Sequence, residues 1–146
     1  MKTELLHRLN NAAEYTLAVL EKMPEAQLSY RPTKGVRSFA EIIEHIGEAQ
    51  LYTASQGIEV KQLKFRGDRN SKADLRDFIT ESYGMLLGAL EPMTDQDLQK
   101  MVKFWDGPAS VYKILNFTLD HVTHHRGQAT VYLRMNGIKP PNYIGW

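Results

Sequence analysis

The chain has 146 residues, of which 42% are hydrophobic and 24% are charged, and its 18 Lys and Arg against 17 Asp and Glu give a formal net charge of +1. We expect one domain over residues 1–146, and the balanced charge argues against a nucleic-acid partner, which requires a larger basic excess. Cysteine is absent, which excludes disulfides and thiolate ligands, and no signal-peptide core or run of about 18 apolar residues occurs, so we expect a cytoplasmic protein with no membrane partner.

The first half of the chain carries the periodicity of two amphipathic helices. The first is predicted from Thr3 to Met23 and is stopped by Pro24. The second is predicted to begin after Ser38, an N-cap that can form a capping box with Glu41 three residues later, and it fades near residues 56–57.

The middle of the chain predicts a third helix and a less regular segment. The helix is expected from Ser71, its N-cap, to about Leu90. Residues 94–97 indicate a short helical turn, and residues 101–105 alternate weakly, as in a short hairpin arm or an extended strand.

A fourth long helix is predicted near the end of the chain. It begins near Ser110 and runs to Met135, before a C-cap at Asn136-Gly137. Four amphipathic helices without a strong strand signal favour an all-α four-helix bundle.

The histidines are the most informative residues of the sequence. Three of the five fall within five positions, and His121 and His125 are four residues apart, so a helix places them on one face, where both can reach a single metal ion. His45 lies on the inward stripe of the second helix and can add a third nitrogen. Three protein ligands with an open fourth position are typical of a catalytic metal. His124 could replace either neighbour, although we assign it to the edge of the inward face, and His7 is expected to be exposed.

Three further polar residues are candidates for a catalytic role. Gln128 can hydrogen-bond a ligand or a bound water, Arg126 can orient an anionic substrate, and Glu48 can support the metal or act as a general base. Each also has a structural alternative: a buried polar residue, a salt bridge and a solvated carboxylate, respectively. Five aromatic residues could line a pocket above the metal, although core or dimer contacts explain them as readily: Tyr30, Phe104, Trp105, Tyr143 and Trp146.

Three segments together carry a family resemblance: residues 28–39 before and at the start of the second helix, residues 43–46 around His45, and residues 121–141 in the fourth helix and tail. In these segments the chain resembles the DinB/YfiT superfamily of metal-binding four-helix bundles. The resemblance implies an up-down-down-up bundle, a homodimer, and a zinc or nickel ion held by His45, His121 and His125. Relatives in the wider group include thiol-dependent S-transferases, which use bacillithiol or mycothiol, and a maleylpyruvate isomerase. The family name suggests a stress response.

These features leave three functions open. The first is a metal-dependent enzyme acting on a small molecule, either a hydrolase or an S-transferase that uses an external low-molecular-weight thiol. The second is a module that binds a metal and recognises a small ligand without catalysis. The third is a helical dimer whose histidines are satisfied internally without metal. The residues do not select the metal, since three neutral imidazoles suit zinc, nickel, copper or iron.

Overall fold

The computed structural model describes residues 1–145, and its architecture is dominated by four long helices. A short helix and a two-stranded hairpin precede the last of them. In chain order, the elements are α1 (Lys2–Lys22), a 3₁₀ turn (Glu25–Gln27), α2 (Phe39–Ala54), α3 (Lys72–Leu90), α4 (Asp95–Gln99), β1 (Met101–Phe104), β2 (Gly107–Ser110) and α5 (Val111–Met135).

The packing of the four long helices gives the predicted up-down-down-up bundle. Helices α1 and α2 each pack against α3 and α5, so α1 and α2 occupy diagonal corners. Contacts between helices set their directions: α1 is antiparallel to α3, α2 is antiparallel to α5, and α1 is parallel to α5. Glu21–Arg76, together with Lys2–Asp95 just beyond the end of α3, sets the direction of α1 relative to α3. His45–His125 and Thr53–Thr118 set that of α2 relative to α5. Arg8–Asn116 and Ala12–Arg126 set that of α1 relative to α5.

The connection between α2 and α3 runs along the side of the bundle. Because these two helices point in the same direction, residues 55–71 must return along the length of α2. Two carboxylates of α2 hold this segment. Glu48 accepts a hydrogen bond from the backbone N–H of Phe65 and pairs with Lys64, and Glu44 pairs with Arg69.

Local signals in the sequence explain where the helices begin. Ser38 and Glu41 form the predicted capping box at α2, and Ser71 and Ser110 cap α3 and α5 through their side chains. Residues 101–105 were predicted to form a hairpin arm or an extended strand. Met101–Phe104 is the first strand of an antiparallel hairpin, in which Met101 lies opposite Ser110. Among residues 1–145, no helix combines the length and the apolar character needed to cross a bilayer.

Candidate metal centre

Helices α2 and α5 bring three histidines together inside the bundle. His45 lies in the second turn of α2 and His121 lies on α5, both half-buried, while His125 is only 8% exposed. The Nε2 atom of His125 lies 3.0 Å from Nε2 of His45 and 3.1 Å from Nε2 of His121. The three rings therefore converge through the same type of nitrogen, and the ligand atoms all lie within 4.8 Å of one another.

These separations suit nitrogens that share one cation. Two imidazole nitrogens held about 2.0–2.1 Å from a tetrahedral zinc ion lie about 3.3 Å from each other. The observed 3.0 and 3.1 Å are close to this value. Three histidines also leave a fourth coordination position for water or substrate.

Gln128 fixes the orientation and the tautomer of His125. The Nδ1–H of His125 donates to Oε1 of Gln128 at 2.9 Å, and the amide nitrogen of Gln128 lies 3.3 Å from Nε2 of His124. Because the hydrogen is on Nδ1, the lone pair of His125 is on Nε2, which faces the other two rings. This is the arrangement that a metal-binding histidine with an outer hydrogen-bond partner adopts.

Hydrogen bonds among the rings do not satisfy this cluster. Nε2 of His125 has one lone pair, yet the Nε2 atoms of both His45 and His121 approach it. A shared cation accepts a lone pair from each of the three nitrogens. The residues present therefore fit a divalent metal better than they fit a metal-free network. Nδ1 of His121, in contrast, has no hydrogen-bond partner within residues 1–145.

Burial keeps all three rings neutral at ordinary pH. It is the main cause that lowers the pKa of His45 to about 4, with further contributions from the positive charge of Arg37 and from the neighbouring rings. Burial likewise lowers the pKa of His121 and of His125 from the usual value, although the bond to Gln128 acts in the opposite direction on His125. Neutral imidazoles have the free lone pairs that metal ligation requires.

Within residues 1–145, Arg126 contacts α1 and forms neither the salt bridge offered as its structural alternative nor a contact with the three histidines. Its side chain is 4% exposed and points to α1, where it donates to the carbonyl oxygen of Ala12 at 3.2 Å and stacks over the ring of Tyr15. The physical reason is that α5 has two buried faces, one against α2 and one against α1, and Arg126 belongs to the second. It is therefore not brought to the histidines.

Glu48 lies beside the site but is occupied by the returning segment. Its carboxylate pairs with Lys64 and accepts the backbone N–H of Phe65, which leaves it as an anchor of residues 55–71 rather than a free base. His124 is exposed at the edge of the inward face, as expected, and His7 is exposed on α1.

Of the five aromatic residues that could line a pocket above the metal, the four that the structure describes do not line the cleft beside His45. Phe104 and Trp105 stack on each other and pack edge-on against Phe117. Tyr143 packs edge-on against Tyr15, and Trp146 lies outside the described residues. Tyr30 packs edge-on against Tyr132, and it is Tyr132 that lines the cleft beside His45.

Sequence reasoning overlooked one residue near the cluster, Arg37. It immediately precedes the N-cap Ser38, and its positive charge is among the causes that lower the pKa of all three histidines. The available signal was its position, because a residue directly before a capping box lies at the same end of α2 as His45.

The chain belongs to the DinB superfamily, whose family model matches residues 8–129. The family resemblance read from the sequence is thereby confirmed. YrdA of Bacillus subtilis (strain 168) is 33% identical over 73 residues, which are 47% of this chain and 44% of YrdA. The match thus spans less than half the length of this curated relative.

Solved structures share the bundle. A DinB-like protein of Bacillus cereus ATCC 10987 gives a TM-score of 0.79 at 24% identity over 94% of each chain. YfiT of Bacillus subtilis, described as a probable metal-dependent hydrolase with an unusual four-helix bundle topology, gives 0.69 at 15% identity over 94% of this chain and 89% of YfiT. At these identities the likeness establishes the fold.

Proposed function

We propose that this member of the DinB superfamily is a divalent-metal-dependent hydrolase acting on a small molecule, with His45, His121 and His125 as the metal ligands. The observation that carries the proposal is the convergence of three Nε2 atoms, with His125 Nε2 within 3.1 Å of both others. The description of YfiT as a probable metal-dependent hydrolase supports the same reaction class.

The protein's own residues prepare the site for this chemistry. A divalent cation bound there would act as a Lewis acid and lower the pKa of a coordinated water. Gln128 holds His125 in the ligating tautomer, and burial keeps the three rings unprotonated. His45 and Gln128 also line a cleft of about 910 Å³, which provides room for a small substrate beside the histidines.

Metal-dependent turnover tests the proposal. Zinc- and nickel-loaded protein should hydrolyse members of a panel of small esters and amides, and removal of the metal with a chelator should abolish the reaction. His121→Ala should lose this activity while keeping its helical circular dichroism. His7→Ala is the matched control, because it removes an exposed imidazole on α1 and should retain the activity.

Three outcomes would refute the assignment. Hydrolysis that is indifferent to the chelator would show that the histidine cluster is not the reactive centre. Turnover only when a low-molecular-weight thiol and an electrophile are supplied together would replace the hydrolase with an S-transferase. A metal that raises the melting temperature without any turnover would instead indicate a binding module.

A further inference from the structure

The cleft beside the histidines has two walls of different origin. One wall is the loop before α2, which contributes Lys34 and Arg37, and the other is formed by α2 and α5, which contribute His45, Gln128 and Tyr132. A molecule in this cleft therefore lies between the loop and the metal-binding side chains.

The carboxylates that line the cleft are already neutralised. Three glutamates of α2 face it, and each is bound by a basic side chain that holds either the loop or the segment returning along α2. The pairs are Glu41 with Arg31, Glu44 with Arg69, and Glu48 with Lys64.

Two cations of the same cleft are not neutralised. Within residues 1–145, neither Lys34 nor Arg37 has a carboxylate within ion-pair distance, although both line the cleft. Arg37 lines this cleft together with His45, one of the three clustered histidines. The cleft thus has a net positive region close to the cluster.

The backbone of Arg37 is fixed relative to the site. Its carbonyl oxygen accepts a hydrogen bond from the hydroxyl of Tyr132 at 3.0 Å, and Tyr132 lies on α5 one turn after Gln128. The next residue, Ser38, caps α2. The guanidinium is therefore carried by a segment that is tied to both helices of the histidine cluster, while its side chain stays exposed to an incoming molecule.

We propose that Arg37, assisted by Lys34, forms the subsite for an oxyanion of the substrate, a carboxylate or a phosphate, next to the bond that reacts at the histidine cluster. The planar guanidinium binds such groups through two parallel N–H donors. This inference rests on the proposed function for the position of the reacting bond, but binding of the anion itself does not.

Anion binding to metal-loaded protein tests the subsite directly. Succinate and inorganic phosphate are titrated by calorimetry, at one ionic strength, into the wild type, Arg37→Ala, Arg37→Lys and Arg66→Ala. Succinamide serves as the uncharged analogue. Arg66 is the matched control because it is an exposed arginine outside this cleft.

We expect Arg37→Ala to weaken binding of the preferred anion about tenfold or more, from loss of a charge-assisted bidentate contact. Arg37→Lys should fall between the alanine variant and the wild type, and Arg66→Ala and succinamide should show no comparable change. The stronger of succinate and phosphate identifies the oxyanion. Equal affinities for the wild type and Arg37→Ala, an equal loss in Arg66→Ala, or no anion binding by the wild type would overturn the subsite.

Metal content separates this inference from the proposed function. Each variant is assayed for bound zinc, and the titration is repeated on metal-free protein. Anion binding that depends on Arg37 in a protein that takes up no metal would refute the metal centre and keep the subsite. Stoichiometric metal binding, together with anion affinity that Arg37→Ala leaves unchanged, would refute the subsite and keep the metal centre.

Discussion

Gln128 offers a sharp test of how the cluster is built, because His125 is the only one of the three proposed metal ligands to which it is hydrogen-bonded within residues 1–145. Gln128→Leu removes the acceptor that lies 2.9 Å from Nδ1 of His125 and frees the ring to change tautomer and orientation. Loss of such an outer partner typically weakens metal affinity 10- to 100-fold, or about 1.4–2.7 kcal/mol. We expect zinc affinity to fall by that factor, with the helical content unchanged.

Competition against a chromophoric chelator measures this affinity. Gln128→Glu keeps an oxygen acceptor for Nδ1–H and should retain zinc affinity near that of the wild type. His124→Ala removes the exposed ring at the other end of the amide and should have little effect. Wild-type affinity in Gln128→Leu, or an equal loss in His124→Ala, would refute the view that Gln128 orients a metal ligand.

The remaining predictions concern stability and pH. In urea unfolding, Gly47→Ala should destabilise the fold by about 1–3 kcal/mol, because the added Cβ would overlap the ring of Phe78. By the same measurement, Gly127→Ala should stabilise the fold by up to about 1 kcal/mol, because the added Cβ meets nothing within 4 Å. Arg126→Ala should cost about 1.5–3 kcal/mol by the same measurement but leave zinc stoichiometry unchanged, and loss of zinc would contradict its assignment to α1. The folded pKa of His45, about 4, lies below its ordinary 6.5, so the folded state binds fewer protons and metal-free protein should lose stability as the pH falls from 6.5 to 4. A flat urea midpoint over that range in the presence of chelator would count against the burial of this ring.

The helices could be predicted because their signals are local. Ser38 with Glu41, Ser71 and Ser110 mark the starts of three helices, and the structure uses all three as caps. The i,i+4 spacing of His121 and His125 placed both on one face, and the inward stripe of α2 pointed His45 toward them. The structure brings these three rings together as the periodicity predicted.

The roles of the flanking residues could not be predicted, because they depend on which neighbour each face meets. Arg126 follows His125 directly but points to α1. Periodicity alone cannot show which of the two buried faces of a helix meets which neighbour. The partner of Glu48 arrives with residues 55–71, whose polar sequence gives no indication of their path along α2. A glycine inside a helix often marks the close approach of a neighbour, but no atom lies within 4 Å of a Cβ added at Gly127.

Elemental analysis of protein purified without a histidine tag tests the metal centre most directly. The wild type and His7→Ala should carry one divalent metal ion per chain, and His45→Ala, His121→Ala and His125→Ala should each lose most of it while remaining folded. Wild-type protein that contains no metal and takes up neither zinc nor nickel on dialysis would contradict a shared cation among these three imidazoles.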